Sequence, residues 1–172
     1  MQNKSTGSIT FYSTIIASTI WSMLPHTTGT SPLIVLALWS SKYSSNRYAA
    51  FLLALLPALI HDLICGAHST QGWVYLSLIG ASLLGNYTNT FFSTLYSSIL
   101  ASGLFFICTN VGVWISTTMY TYTLDGLLTC FIAALPFAWN QLLATLILSL
   151  LWYSSNNAAS YLTAKVQLST LK

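Results

Sequence analysis

Asp62 and Asp125 are the only carboxylates in the chain, and the whole stretch between them passes without an Asp, Glu, Lys or Arg. A soluble domain devotes about a quarter of its residues to those four types, because a surface in water needs charge to solvate it. Here the share is 4%, against 55% hydrophobic residues and a mean hydropathy of +0.69. A chain of 172 residues could bury a sizeable core in water, but its outside would be almost uncharged. The composition predicts an all-α, polytopic membrane protein.

The net charge of +3 comes from five scattered basic residues with no run able to neutralise several phosphates, so nucleic acid is not an expected partner. Cys65, Cys108 and Cys130 are far apart and sit in or beside apolar runs, which suits small buried side chains better than a disulfide or a metal. The N-terminal stretch "MQNKSTGSITFYSTIIASTIWSML" is followed by "PHTTGTSP" and more apolar chain, and reads as a first spanning helix, not as a secretory signal.

A bilayer core of about 30 Å asks for about 20 helical residues. Six segments answer, at residues 8 to 24, 32 to 41, 48 to 64, 72 to 86, 94 to 116 and 126 to 153. The second is too short to span alone, and is expected as a short or tilted helix inside a bundle, starting at Pro32 with Ser31 as its cap. In the sixth, Pro136 frees the carbonyl of Ile132 and predicts a kink, with one kinked helix and two shorter pieces both open. Residues 1–153 then form the transmembrane domain and residues 154–172 a polar cytoplasmic tail.

The basic residues supply an independent test of the count. With six passes and both termini cytoplasmic, Lys4, Lys42, Arg47, Lys165 and Lys172 all fall on the cytoplasmic side, as the positive-inside rule asks. Five or seven passes would send the tail lysines across. The same layout puts His26, Asp62, His68 and Asp125 in or beside the outer loops.

In "ALIHDLICGAH", Asp62 stands at the outer end of the third segment, where a carboxylate needs water, a cation or a donor. It reads either as a helix-end boundary residue or as part of a pocket, accepting hydrogen bonds from a ligand or orienting His68 or a hydroxyl of the 25 to 31 loop. In the pocket reading, Asp62→Asn weakens stabilisation by a ligand. His61 is displaced about 100 degrees around the helix, whereas His68 in the loop can fold back. "PHTTGTSP" is a loop of donors and acceptors stiff at both ends, with His26 able to face a ligand and its hydroxyls equally able to cap the next helix. Asn110 and Trp114, four apart, share a helical face that could offer an amide and an indole, or could simply join helices. Asp125 is placed to cap the sixth segment. The histidine separations of 35 and 7 residues match no metal motif. No catalytic or nucleotide-binding signature is present, so neither an enzyme nor a cofactor is expected, and transport would need an ion gradient or a partner ATPase.

"LPHTTGTSPLIVLAL", "LLPALIHDLICGAH", "WVYLSL", "LFFICTNVGVW" and "YTYTLDGLLTCFIAALPFAWNQLL", in that order over about residues 20 to 152, resemble a family of small uncharacterised bacterial integral membrane proteins. That family looks like the substrate-binding subunits of energy-coupling factor transporters. The resemblance implies a six-helix bundle in the bacterial inner membrane, a vitamin-like solute captured from outside, and a separate energising ATPase module. Carried over by motif, the substrate-binding candidates are His26, Asp62, His68, Asn110 and Trp114. The sequence departs from the pattern at Tyr122, where the family has histidine, and over Asn140 to Thr145, where an acidic group is replaced. The alternative function is a structural or assembly protein of the envelope, whose polar residues only join helices.

Overall fold

The computed structural model describes residues 4–23, 30–44 and 46–170. They form six helices, α1 Lys4–Met23, α2 Leu33–Tyr43, α3 Arg47–Cys65, α4 Gln71–Leu84, α5 Phe91–Ser116 and α6 Leu124–Thr170, with a 3₁₀ turn at Gly85–Tyr87. The described part is all-α, and each expected segment is a helix. Of these, α3, α5 and α6 are long and apolar enough to cross a membrane by themselves, and α2 is a shorter apolar helix.

The short helix is the centre of the molecule. Seven consecutive residues of α2, Ile34 to Ser40, are buried, and α2 touches each of the other five helices and the 3₁₀ turn. A helix apolar on every side has no face to give to water, so it is stable only when surrounded. Its start differs from expectation. Pro32, not Ser31, is the residue flanking the helix, although Ser31 Oγ still accepts from Leu33 N at 3.3 Å.

Local signals account for the other boundaries. Asn46 caps α3 by accepting from Tyr48 N at 2.9 Å, and α3 stops at Gly66, whose φ of 99° few other residues adopt. Thr90 and Ser93 form a reciprocal capping box at the start of α5. At the start of α6 the cap is Thr123, whose Oγ1 accepts from Gly126 N at 3.1 Å. Asp125, expected in that role, lies inside the first turn instead, where its charge still complements the helix dipole.

The sixth helix is one piece. It continues through Pro136 and through the residues expected as a polar tail, for 47 residues in all, or about 70 Å at the rise of an α-helix. Along it, Leu128, Ile132, Leu135, Trp139, Leu143, Ile147 and Leu151 make one exposed apolar stripe, whereas Gln141, Thr145 and Ser149 are buried. On α5, Thr94, Ser97, Ser98 and Ser102 are likewise buried. Polar residues inside and large apolar residues outside is the arrangement that lipid favours, because hydrocarbon solvates leucine and leaves a hydroxyl to find its partner between helices. These helices suit a membrane-associated protein.

Candidate functional site

Two groups of polar side chains stand apart from the ordinary helix packing. The first gathers where α3 ends and α4 begins. Tyr75, one turn into α4, donates its hydroxyl to Asp62 Oδ2 at 2.5 Å, and His61 Nδ1 lies 3.1 Å from Asp62 Oδ1. His68 Nε2 faces the same oxygen at 3.9 Å, while its Nδ1 meets Thr70 Oγ1 at 2.9 Å. The Asp62 side chain is only 10% exposed. A carboxylate so enclosed needs donors, and the tyrosine is the principal one. His68 folds back toward Asp62, as its place in the loop allows. His61 also reaches it, despite its divergent direction on the helix, because adjacent Cα atoms are about 3.8 Å apart and an imidazole is long enough to close that gap.

The second group lines a cavity of about 200 Å³ between α5 and α6, walled by Ser102, Phe105, Phe106, Thr109, Asn110, Ala134, Phe137, Ala138 and Gln141. Its polar atoms are partly committed. Asn110 Nδ2 donates to Phe106 O at 2.7 Å, and Thr109 Oγ1 donates to Phe105 O at 2.7 Å. Gln141 Nε2 donates to Ser31 O at 2.8 Å and to Thr145 Oγ1 at 3.1 Å. That bond joins the cavity wall to the residues that lead into α2, so the cavity abuts the start of the central helix. Ser102 is different. Ser98, one turn earlier, returns its hydroxyl to Thr94 O at 2.8 Å, but Ser102 Oγ, like Thr94 Oγ1 and Ser149 Oγ, is buried with no hydrogen-bond partner among the described residues. An unmatched buried hydroxyl costs on the order of 1–3 kcal/mol, and of these three residues only Ser102 belongs to the cavity wall, where a bound molecule could satisfy it.

The predicted site residues therefore fall into separate places. Asp62 and His68 come together at the α3–α4 junction. Asn110 faces the α5–α6 cavity. Trp114, one turn on, is occupied in holding the α5–α6 connection, with Nε1 donating to Thr121 O at 2.9 Å and its ring 5.9 Å from that of Tyr122. Neither Asp62, His68 nor Trp114 lines the cavity with Asn110. His26 and the loop residues 24–29 lie outside the described residues, as does Lys172. No cluster of histidine, cysteine and carboxylate able to hold a metal occurs among the described residues.

Sequence reasoning missed Tyr75, Ser102 and Gln141. Gln141 carried a usable signal, since an amide in an apolar helix needs a partner and Thr145 stands four residues on. Ser102 carried none, because nothing in the chain separates it from the serines at 97 and 98. Two further clefts, lined by Arg47 and Asn86 and by Lys42 and Asn89, open at the other end of α3, away from Asp62.

No curated protein and no solved structure matches the chain. Residues 2–167 match the model of a family of unknown function, DUF6580, and the chain belongs to that family.

Proposed function

We propose that this protein crosses the bacterial inner membrane six times with both termini in the cytoplasm, and that it binds a small solute for uptake in the manner of the substrate-binding subunits of energy-coupling factor transporters. The observation that carries the binding reading is the α5–α6 cavity, whose wall includes Ser102, with a buried hydroxyl that has no partner among the described residues. A protein whose polar residues served only to join helices would close such a space with side chains. Asn110 is the residue from the resemblance that meets the solute. Asp62, bound by Tyr75, and His68 tie the end of α3 to α4 outside the cavity wall, and Trp114 pins the outer α5–α6 connection. Energy comes from a separate ATPase module.

The orientation rests on charge. Arg47 begins α3 and Asp62 lies near its end, so the two are at opposite faces, and Lys42, at the end of α2, lies on Arg47's side through its bond to Asn89 at 2.6 Å. With single cysteines placed in a background lacking the native ones, an impermeant thiol reagent added to intact cells is expected to label Ser69→Cys and to spare Asn46→Cys. The opposite pattern would turn the molecule over and leave the Asp62 cluster in the cytosol.

Binding itself is tested by thermal stability of the purified protein against vitamins, their precursors and nucleobase-like compounds, with co-purification of an ATPase module as a parallel readout. At a hundredfold excess over Kd a ligand adds about 2.7 kcal/mol of stability, a rise of several degrees. A broad screen without a hit, together with no ATPase partner, would transfer the reading to the envelope assembly role.

A further inference from the structure

The α5–α6 cavity has no charged side chain in its wall, and three of its nine lining residues are phenylalanines. Phe106 is held edge-on against Phe131 with ring centroids 5.3 Å apart, which fixes one of those faces. An apolar cavity of about 150 Å³ accommodates a benzene ring, so about 200 Å³ gives room for one or two rings.

The polar groups left over in the wall are two amide oxygens as acceptors, and the second N–H of Asn110 and the Ser102 hydroxyl as donors. The carbonyl acceptors at Ser31 and Phe106 require that the nitrogens of Gln141 and Asn110 point at them. Gln141 Oε1 is then left with no partner among the described residues, and Asn110 Oδ1 has only the Cys130 thiol at 3.9 Å. Two amide oxygens and the Ser102 hydroxyl therefore await a ligand. A carboxylate would give up its hydration here with no lysine or arginine in the wall to replace it. An ammonium ion would find acceptors but no carboxylate, because neither Asp62 nor Asp125 lines the cavity. A neutral molecule with N–H or O–H groups meets neither objection.

We propose that the α5–α6 cavity takes a neutral aromatic molecule of one or two rings bearing N–H or O–H donors, which are received by Gln141 Oε1 and Asn110 Oδ1 with Ser102 Oγ completing the set, and that it rejects carboxylates and ammonium ions of the same shape. This rests on the reading of the protein as a solute binder and narrows it to a class.

A matched series tests the class on the full chain in nanodiscs by equilibrium binding and thermal shift. The probes are indole-3-carboxamide, indole-3-carboxylate, 3-(aminomethyl)indole and a fully N-methylated indole-3-carboxamide, each with its phenyl and purine counterpart. At least one carboxamide is expected to bind tenfold or more tightly than its anionic, cationic and donor-free analogues. Ala138→Leu, which fills the cavity, is expected to abolish that binding, with Ala134→Leu as a second filling variant should the first not fold. Ser102→Ala is expected to weaken binding several-fold while leaving the ligand-free melting temperature unchanged or raised, since it removes an unmatched hydroxyl. A carboxylate or ammonium analogue that binds as well as the carboxamide and is lost in the filled variant would overturn the class and leave the solute-binding reading intact. Binding that survives filling would overturn the cavity as the site. No binding by any member of the three series would overturn the class, and joined to a failed vitamin screen it would overturn the solute-binding reading too.

Discussion

Gly85→Ala is expected to leave little or no folded protein in detergent extracts. A Cβ at this position would run into the Leu38 carbonyl oxygen, and would sit 2.5 Å from Ser41 Oγ and 2.7 Å from the Leu38 carbonyl carbon. Two of these atoms are backbone of α2, the helix that touches every other one, so they cannot retreat without moving the centre of the bundle. A clash of this type belongs with the rare substitutions costing more than about 4 kcal/mol, a large share of the roughly 5–15 kcal/mol by which a folded domain is stable. Gly103→Ala is the control. It lies inside α5 with nothing within 4 Å of an added Cβ, and the better helix propensity of alanine should stabilise by about 0.5–1 kcal/mol. The measurement is the fraction of monodisperse protein after extraction and its melting temperature. A Gly85→Ala protein that melts like the wild type would mean that α2 and the 3₁₀ turn do not approach as closely as described.

Breaking the Asp62 cluster is expected to have the next largest effect. Asp62→Ala strands the Tyr75 hydroxyl and removes the acceptor on which His61 rests, while Tyr75→Phe removes the shortest donor from an enclosed carboxylate. Hydrogen bonds to charged groups contribute about 1.5–3 kcal/mol, so each single change should cost about 2 kcal/mol. The double variant should cost less than the sum, by about 1 kcal/mol, because the two changes remove one shared interaction. Asp62→Asn retains an oxygen for Tyr75 and should cost less than Asp62→Ala. Because Asp62 does not line the α5–α6 cavity, Asp62→Asn is also expected to leave ligand-dependent stabilisation unchanged, contrary to what its sequence context suggests. Strict additivity of Asp62→Ala and Tyr75→Phe in reversible unfolding would show that the two side chains act independently.

The cluster and the cavity show where one-dimensional reasoning stops. Asp62 drew notice because a carboxylate in an uncharged chain is conspicuous, and His68 because a loop histidine can turn back. Tyr75 is one of ten tyrosines, and only the pairing of α3 with α4 singles it out. Asn110 was legible as an amide on an apolar face, but its role depends on Ala134, Ala138 and Phe137 of α6, which leave the space opposite it unfilled.

The sequence by itself determined the all-α class, the approximate limits of the first five helices, and the concentration of Lys42 and Arg47 at the end opposite Asp62. Those properties follow from local quantities: the length of an apolar run, a capping residue such as Asn46 or Thr90, a glycine such as Gly66 at a helix stop. Only the tertiary structure decided that α2 is the buried centre, that α6 is one uninterrupted helix through Pro136, that Asp62 is satisfied from α4, and that Ser102 is left without a partner among the described residues. Each of these is a relation between residues distant in the chain. Serines 98 and 102 are chemically identical in the sequence, and what distinguishes them is their surroundings: Ser98 Oγ donates to Thr94 O, whereas Ser102 belongs to the wall of the α5–α6 cavity with its hydroxyl unmatched among the described residues.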